Sequence, residues 1–275
     1  YLWFKLANLL NSQGHSQAAL QTVDKAIELH PTSPTYHSLR GNLLSKMGVD
    51  QFEAASAALS KASELYSGNA PSVHVLREID ILRKRSMIDV DGKTGFLTTA
   101  KERLESILSK DSNNLGIQVA LAGILLDLEV EEYDVIESLL SGALKRRDNS
   151  DAHICKARLL IRKNDLIDVE SHLDRAYKLS RNNSAINTVR GEYYLITGNP
   201  VLGLKAFQSA LDASTKDSPE YSQIKRYVEQ VTAILAAQAN VNYAQIGEDN
   251  INVVSETVTE RPNVMIRKKG KPSEE

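Results

Sequence analysis

The sequence predicts an all-α chain: a solenoid of about six helix pairs, then a capping helix, then a low-order tail. Three observations lead there. First, apolar residues recur at spacings of three and four, which puts them on one helix face. Second, one pattern, four residues then three, returns six times: Ala19/Val23/Ala26, Ala55/Leu59/Ala62, Ala100/Leu104/Ile107, Ile136/Leu140/Ala143, Val169/Leu173/Ala176 and Gly203/Phe207/Ala210. Third, Ala176 and Ala210 stand 34 residues apart, so the pattern has a period of one helix pair.

The chain divides on these marks. In the first unit, about 1–33, Leu6, Ala7 and Leu10 form the first helix face, Gly14 makes the turn and Pro31 stops the second helix. Leu6 and Leu10 are assigned to the core with Ala7. The second, about 34–70, opens on Pro34, where a missing N–H costs nothing. Gly41 and Leu44 fill its small and large positions, Gly48 turns the chain, and Val49-Asp50 is a short insertion. The third, about 71–114, carries Val75, Ile79 and Leu82, then a predicted loop from Ser86 to Gly95 rich in Gly and Asp. The fourth, about 115–149, has Leu121, Leu125 and Leu128. The fifth, about 150–183, has Ala157, Leu160 and a turn at Asn164. The sixth, about 184–217, has Gly191, Tyr194 and the Gly198-Asn199-Pro200 turn. Ser218-Pro219-Glu220 then starts a capping helix, 218–239, with Tyr221, Ile224, Val228, Val231 and Leu235 at helical spacing. From Asn240 the period is lost, and 240–275 read as a flexible tail.

The first unit resembles the tetratricopeptide repeat (TPR), whose signature sets Trp, Leu, Gly and Tyr on one helix, then Ala and Phe, then Pro. Here Trp3, Leu6, Ala7, Leu10, Ala19, Val23 and Pro31 fill those places. The sixth unit matches with Gly191, Tyr194, Gly203, Phe207 and Ala210. The resemblance covers about four fifths of the chain. It implies a right-handed superhelix with first helices on the concave side, and a groove for an extended or helical peptide. Partner-facing candidates are the first-helix residues left after the core is assigned: Lys5, Asn8, Ser38, Asn42, Ser45, Ile154, Arg158, Ile161, Thr188 and Glu192. One TPR group clamps acidic chaperone tails with Lys and Asn. Asn8 and Asn42 match its Asn pattern, but Phe4 stands where its first Lys would be.

Bulk properties narrow the function. The chain has 275 residues, 42% hydrophobic and 25% charged, with formal net charge −2, so nothing global attracts nucleic acid or an anionic membrane. No apolar run reaches the ~18 residues a membrane span needs. One cysteine, Cys155, excludes an internal disulfide and reads as a small buried residue. Gly92-Lys93-Thr94 matches the end of a phosphate loop, but Met87 stands where its earlier Gly belongs. Asp89 and Asp91 before Gly92 lack the further ligands of a calcium loop. The six histidines form no metal motif and no paired cluster, and His153 and Cys155 face apart. The basic run Arg267 to Lys271 reads as a solvated tail.

The expectation is therefore a non-catalytic protein–protein scaffold without cofactor or metal, binding a protein or peptide partner and no nucleic acid, free or within a larger assembly. The alternative is a regulatory or targeting TPR domain cut from a longer enzyme or envelope-assembly protein. The start inside a repeat helix, without an initiator Met, reads as a truncated or processed soluble chain of the cytoplasm or bacterial periplasm. A further expectation places Ile251 to Val258 of the tail back in the groove as a blocker.

Overall fold

In the computed structural model the described residues are 1–67, 70–216 and 218–247, with side chains described to residue 238. They form α-helices, one short 3-10 turn and no strand. Twelve helices lie in antiparallel pairs: α1 (Leu2–Ser12) with α2 (Ser16–Leu29), α3 (Pro34–Leu44) with α4 (Phe52–Tyr66), and α5 (Ser72–Ile88) with α6 (Lys93–Leu108). Then come α7 (Leu115–Asp127) with α8 (Tyr133–Arg146), α9 (Ser150–Arg162) with α10 (Val169–Leu179), and α11 (Ser184–Ile196) with α12 (Pro200–Asp212). The last helix is α13 (Pro219–Gly247). The pairs stack into a right-handed α-solenoid.

Local chemistry sets the joints. Gly14, Gly48 and Gly198 turn the chain between paired helices at φ 82°, 130° and 79°, conformations that cost glycine nothing. Asn164 does the same at φ 56° and Glu129 at φ 60°, so the fourth pair turns on a residue with no turn signature. Asn114, Asn149 and Asn183 precede α7, α9 and α11, and each side chain accepts a backbone N–H of the first turn. Such caps are worth about 1 kcal/mol each. Pro34, Pro200 and Pro219 open their helices, and the Ser218 hydroxyl accepts from the Tyr221 N–H at 3.1 Å.

Packing follows the repeat. Ala19, Val23 and Ala26 are buried with Ala7, Tyr36 and Leu39 between the first two pairs. The largest core runs from Val75 of α5 to Leu159 of α9. At its centre α7 is apolar all round and buries Ile117, Val119, Leu121, Ala122, Ile124, Leu125 and Leu126, as a helix packed on every side must. By contrast α10 buries only Val169, Leu173 and Ala176. Repeat-equivalent ion pairs tie a second helix to the next first helix: Arg40 to Asp24 at 2.8 Å, and Arg190 to Asp174 at 2.6 Å.

Three expectations need correction. The loop assigned to Ser86–Gly95 is only 89–92, because α5 continues to Ile88 and α6 begins at Lys93. The Asp89 carboxylate accepts the Gly92 N–H at 2.9 Å and closes that short turn. Leu6 is 41% exposed, since among the described residues no helix pair lies against the outer face of α1, whereas Leu10 is half-buried and packs on the Ala7–Ala26 core. The helix from Pro219 runs to Gly247, past the predicted end at Ala239. Residues 248–275, with the basic run and the proposed blocker, lie outside the described residues, as does Asn69.

Gly191 shows how closely paired helices approach. A Cβ there would lie 2.6 Å from the Phe207 ring, itself fully buried. Gly41 meets Leu59 in the same way at 2.6 Å, whereas a Cβ at Gly123 would find only the Cys155 sulfur at 3.6 Å. Gly191→Ala should therefore lower stability by about 1–3 kcal/mol through overpacking. Gly123→Ala should be neutral or gain up to about 1 kcal/mol of helix propensity. Denaturant unfolding of the two variants checks this contrast.

Candidate functional site

Consecutive first helices touch one another, α5 to α7, α7 to α9 and α9 to α11, so they line the inner, shorter radius of the curve. Across this wall runs a row of charge. Asp127 is the last residue of α7, at the negative end of its helix and nearly buried. Both the dipole and burial oppose a carboxylate there. Two guanidiniums reverse that. Arg83 Nε of α5 donates to Asp127 Oδ2 at 2.5 Å, and Arg158 Nη2 of α9 donates to Asp127 Oδ1 at 2.6 Å. Burial alone would raise the Asp127 carboxyl, but Arg83 and Arg158 bring it down to about 2. Burial works against the Arg158 guanidinium, and the charge of Asp127 more than restores it, upward from the ordinary range.

On α11 the row continues with Glu192. Burial raises its carboxyl, and the positive charges of Arg158 and Arg162 only partly oppose this. On α13, burial raises the Tyr227 phenol, with the charge of Glu192 adding to it and Arg158 opposing. Its ring packs on Phe207 of α12 at 5.1 Å between centroids. α13 packs Ile224 and Val231 onto Phe207 and Ala210 of α12, covering the last pair as a capping helix should. It also contacts α5, eight helices back in the chain. Nothing in the sequence announced that contact.

The ten candidates divide. Arg158 and Glu192 lie in the charged row, with Ile161 and Thr188 half-buried on the same two helices. The Thr188 hydroxyl is turned back to the Ser184 carbonyl at 3.0 Å. Lys5 and Asn8 are exposed at the far end of the stack: Lys5 sits 4.7 Å over the Tyr1 ring, and the Asn8 amide donates to the Phe4 carbonyl at 2.9 Å. Asn42 and Ser45 are half-buried at the end of α3, where the Ser45 hydroxyl donates to the Asn42 carbonyl.

Two candidates lie within the packing instead. Ile154 is 6% exposed in the core between α9 and α11. Ser38 is 2% exposed and bonds His74 Nδ1 at 2.9 Å and Arg77 Nη1 at 3.0 Å. It belongs to an inter-pair polar knot in which His74 Nε2 meets Ser63 and Ser63 meets Glu78. Burial would raise the Glu78 carboxyl, but bonds from His74 and Ser63, with the charge of Arg103, hold it below the ordinary range. Sequence reasoning missed Arg83 and Asp127 altogether. It also missed a histidine pair: His153 and His172, taken as unpaired, face each other at 2.7 Å because α9 and α10 are antiparallel neighbours.

The described residues hold no convergence of three or more metal-binding side chains and no helix long and apolar enough to cross a membrane. Cys155 is free and buried, its thiol pushed up by burial.

No protein-family model matches the chain, and no curated protein matches it. Solved structures do. A tetratricopeptide repeat protein from Parabacteroides merdae is similar at a TM-score of 0.63 with 14% identity, over 84% of this chain and 83% of that one. This is a tetratricopeptide repeat fold. The human IFIT1 dimer with m7Gppp-AAAA is similar at 0.62 with 16% identity, and the APC/C hetero-tetramer Cut9-Hcn1 at 0.60 with 13%. These matches cover 90% and 82% of this chain but only 58% and 42% of those chains.

Asp127→Asn should cost about 2 kcal/mol, less than a fully buried broken pair because Arg83 is 41% exposed. The sign with pH follows from the lowered carboxyl. The stabilisation is complete above the unfolded value of 3.8 and is lost as pH falls through about 2. Thermal melts of both chains between pH 7 and 2 should converge at the acid end.

Proposed function

We propose that the chain is a non-catalytic interaction scaffold that holds a peptide or partner segment against the wall formed by α5, α7, α9 and α11. The observation that carries this reading is the row Arg83, Asp127, Arg158 and Glu192, one side chain from each of four successive first helices. Alternating charge at successive helices gives a register for an extended segment with both signs or with backbone donors and acceptors. The Cut9 assembly, of similar fold, contains a second protein, Hcn1. IFIT1 is similar in fold and was solved with m7Gppp-AAAA. In this chain a run of phosphates would meet Asp127 and Glu192 as often as arginine, and the formal net charge is −2, so a protein segment suits the wall better.

The test is affinity capture with the immobilised chain, repeated with Glu192→Gln and Arg162→Ala. Arg162 is exposed, so its removal leaves the fold intact, and circular dichroism melts verify both variants. A captured protein should bind about tenfold more weakly to each, a loss of about 1.4 kcal/mol. Undiminished capture of every partner by both variants would contradict the groove assignment.

A further inference from the structure

His153 of α9 and His172 of α10 meet through their Nδ1 atoms at 2.7 Å, and two imidazole nitrogens form a hydrogen bond only when one of them carries the proton. The other nitrogen of His153 is engaged too: Nε2 donates to Asp148 Oδ1 at 2.8 Å. That leaves the Nδ1 lone pair of His153 as acceptor and His172 Nδ1–H as donor. One added proton can sit on His172 Nε2 without breaking the bond. The shared proton then passes to His153 Nδ1, whose charge rests beside Asp148, so a second must go to His172 Nδ1, and two N–H groups then point at each other.

The surroundings disfavour the last proton. His172 is lowered by burial, by the charge of His153 and by Lys156, with Asp168 and Glu137 pulling the other way. Lys156 is itself paired with Glu137 of α8. Asp148, before α9, also accepts from Arg175 Nε of α10 at 2.6 Å. Hydrogen bonds from Arg175 and then His153 hold the Asp148 carboxyl below its ordinary range, so it remains charged while the histidines titrate.

From this geometry we propose that the His153–His172 pair is an acid-sensitive latch that ties α10 to α9 and opens when the pair takes up its second proton. The separated chain segments bind that proton more readily than the latched pair. Closure is therefore complete above the ordinary histidine range and weakens as pH falls below it. The Arg190–Asp174 and Tyr194–Glu170 bonds carry α10 onward to α11, the helix of Glu192. The consequence for a bound partner rests on the groove reading, whereas the latch itself does not. Opening the fifth pair would displace Glu192 relative to Arg158 and release a segment held between them at low pH.

Ring-15N NMR of the unaltered full chain, titrated from pH 8 to 4.5, tests the latch without any partner. The pair should take up its protons in two separate macroscopic steps. Backbone signals of α10 should move with the lower step only. His172→Gln, which keeps a hydrogen-bonding side chain but cannot titrate, should collapse the two steps to one and abolish the low-pH movement of α10. Two coincident steps, or α10 signals that ignore the lower one, would each overturn the proposal. If the latch titrates as described but partner capture is unchanged between pH 7.5 and 5, the groove reading fails and the latch stands.

Discussion

An isolated helix pair in this chain has apolar surface on two sides and can cover only one of them by folding on itself. Every other feature depends on that constraint. Ala19, Val23 and Ala26 of the first pair reach zero or near-zero exposure only with Tyr36 and Leu39 of the second against them. The same holds for Val169, Leu173 and Ala176 against Ile186 and Val189. Stability in such a stack is a sum of weak units and the interfaces between them. The middle is therefore favoured over the ends, and α7, apolar all round, occupies the middle. At the ends the solutions differ: α13 covers the apolar side of α12, while Leu2, Leu6 and Leu9 of α1 stay exposed.

The same stacking creates the inner wall. First helices crowd the short radius, so polar side chains on them meet across helices rather than dissolving separately into water. That is why Asp127 can sit charged at the unfavourable end of α7: Arg83 arrives from the preceding pair and Arg158 from the following one. A buried carboxylate with two cationic partners specifies the relative position of three helices more than it stabilises them. Glu192 of α11 lies within reach of Arg158, Tyr227 of α13 feels both charges, and α13 also contacts α5.

How far this was legible in the sequence depends on how many neighbours a position has. The four-then-three pattern of the second helices translated into burial from Ala19 through Ala210, with Ile107 half-buried as the exception, because each such helix shows the core one narrow face. First helices are covered by their own partner and by neighbours on either side, so subtraction of an obvious core left Ser38 and Ile154 among the exposed candidates when both are buried. Arg83 and Asp127 lie in the third and fourth pairs, where the spacing is least regular, and their meeting spans 44 residues. The histidine pair is 19 residues apart on two helices, beyond any motif within one. Glu129 turns the chain at φ 60° with a side chain that carries no turn signal.

Native-state hydrogen exchange of the full chain across a denaturant series tests the dependence on neighbours most directly, because it reads the opening free energy of each helix separately. A stack held by its interfaces predicts the highest protection in α7 and its contacts with α5 and α9, falling pair by pair toward α1 at one end and α13 at the other. Protection that merges into one value for all the helices, as in a single cooperative globule, or that is greatest at the termini, would contradict it.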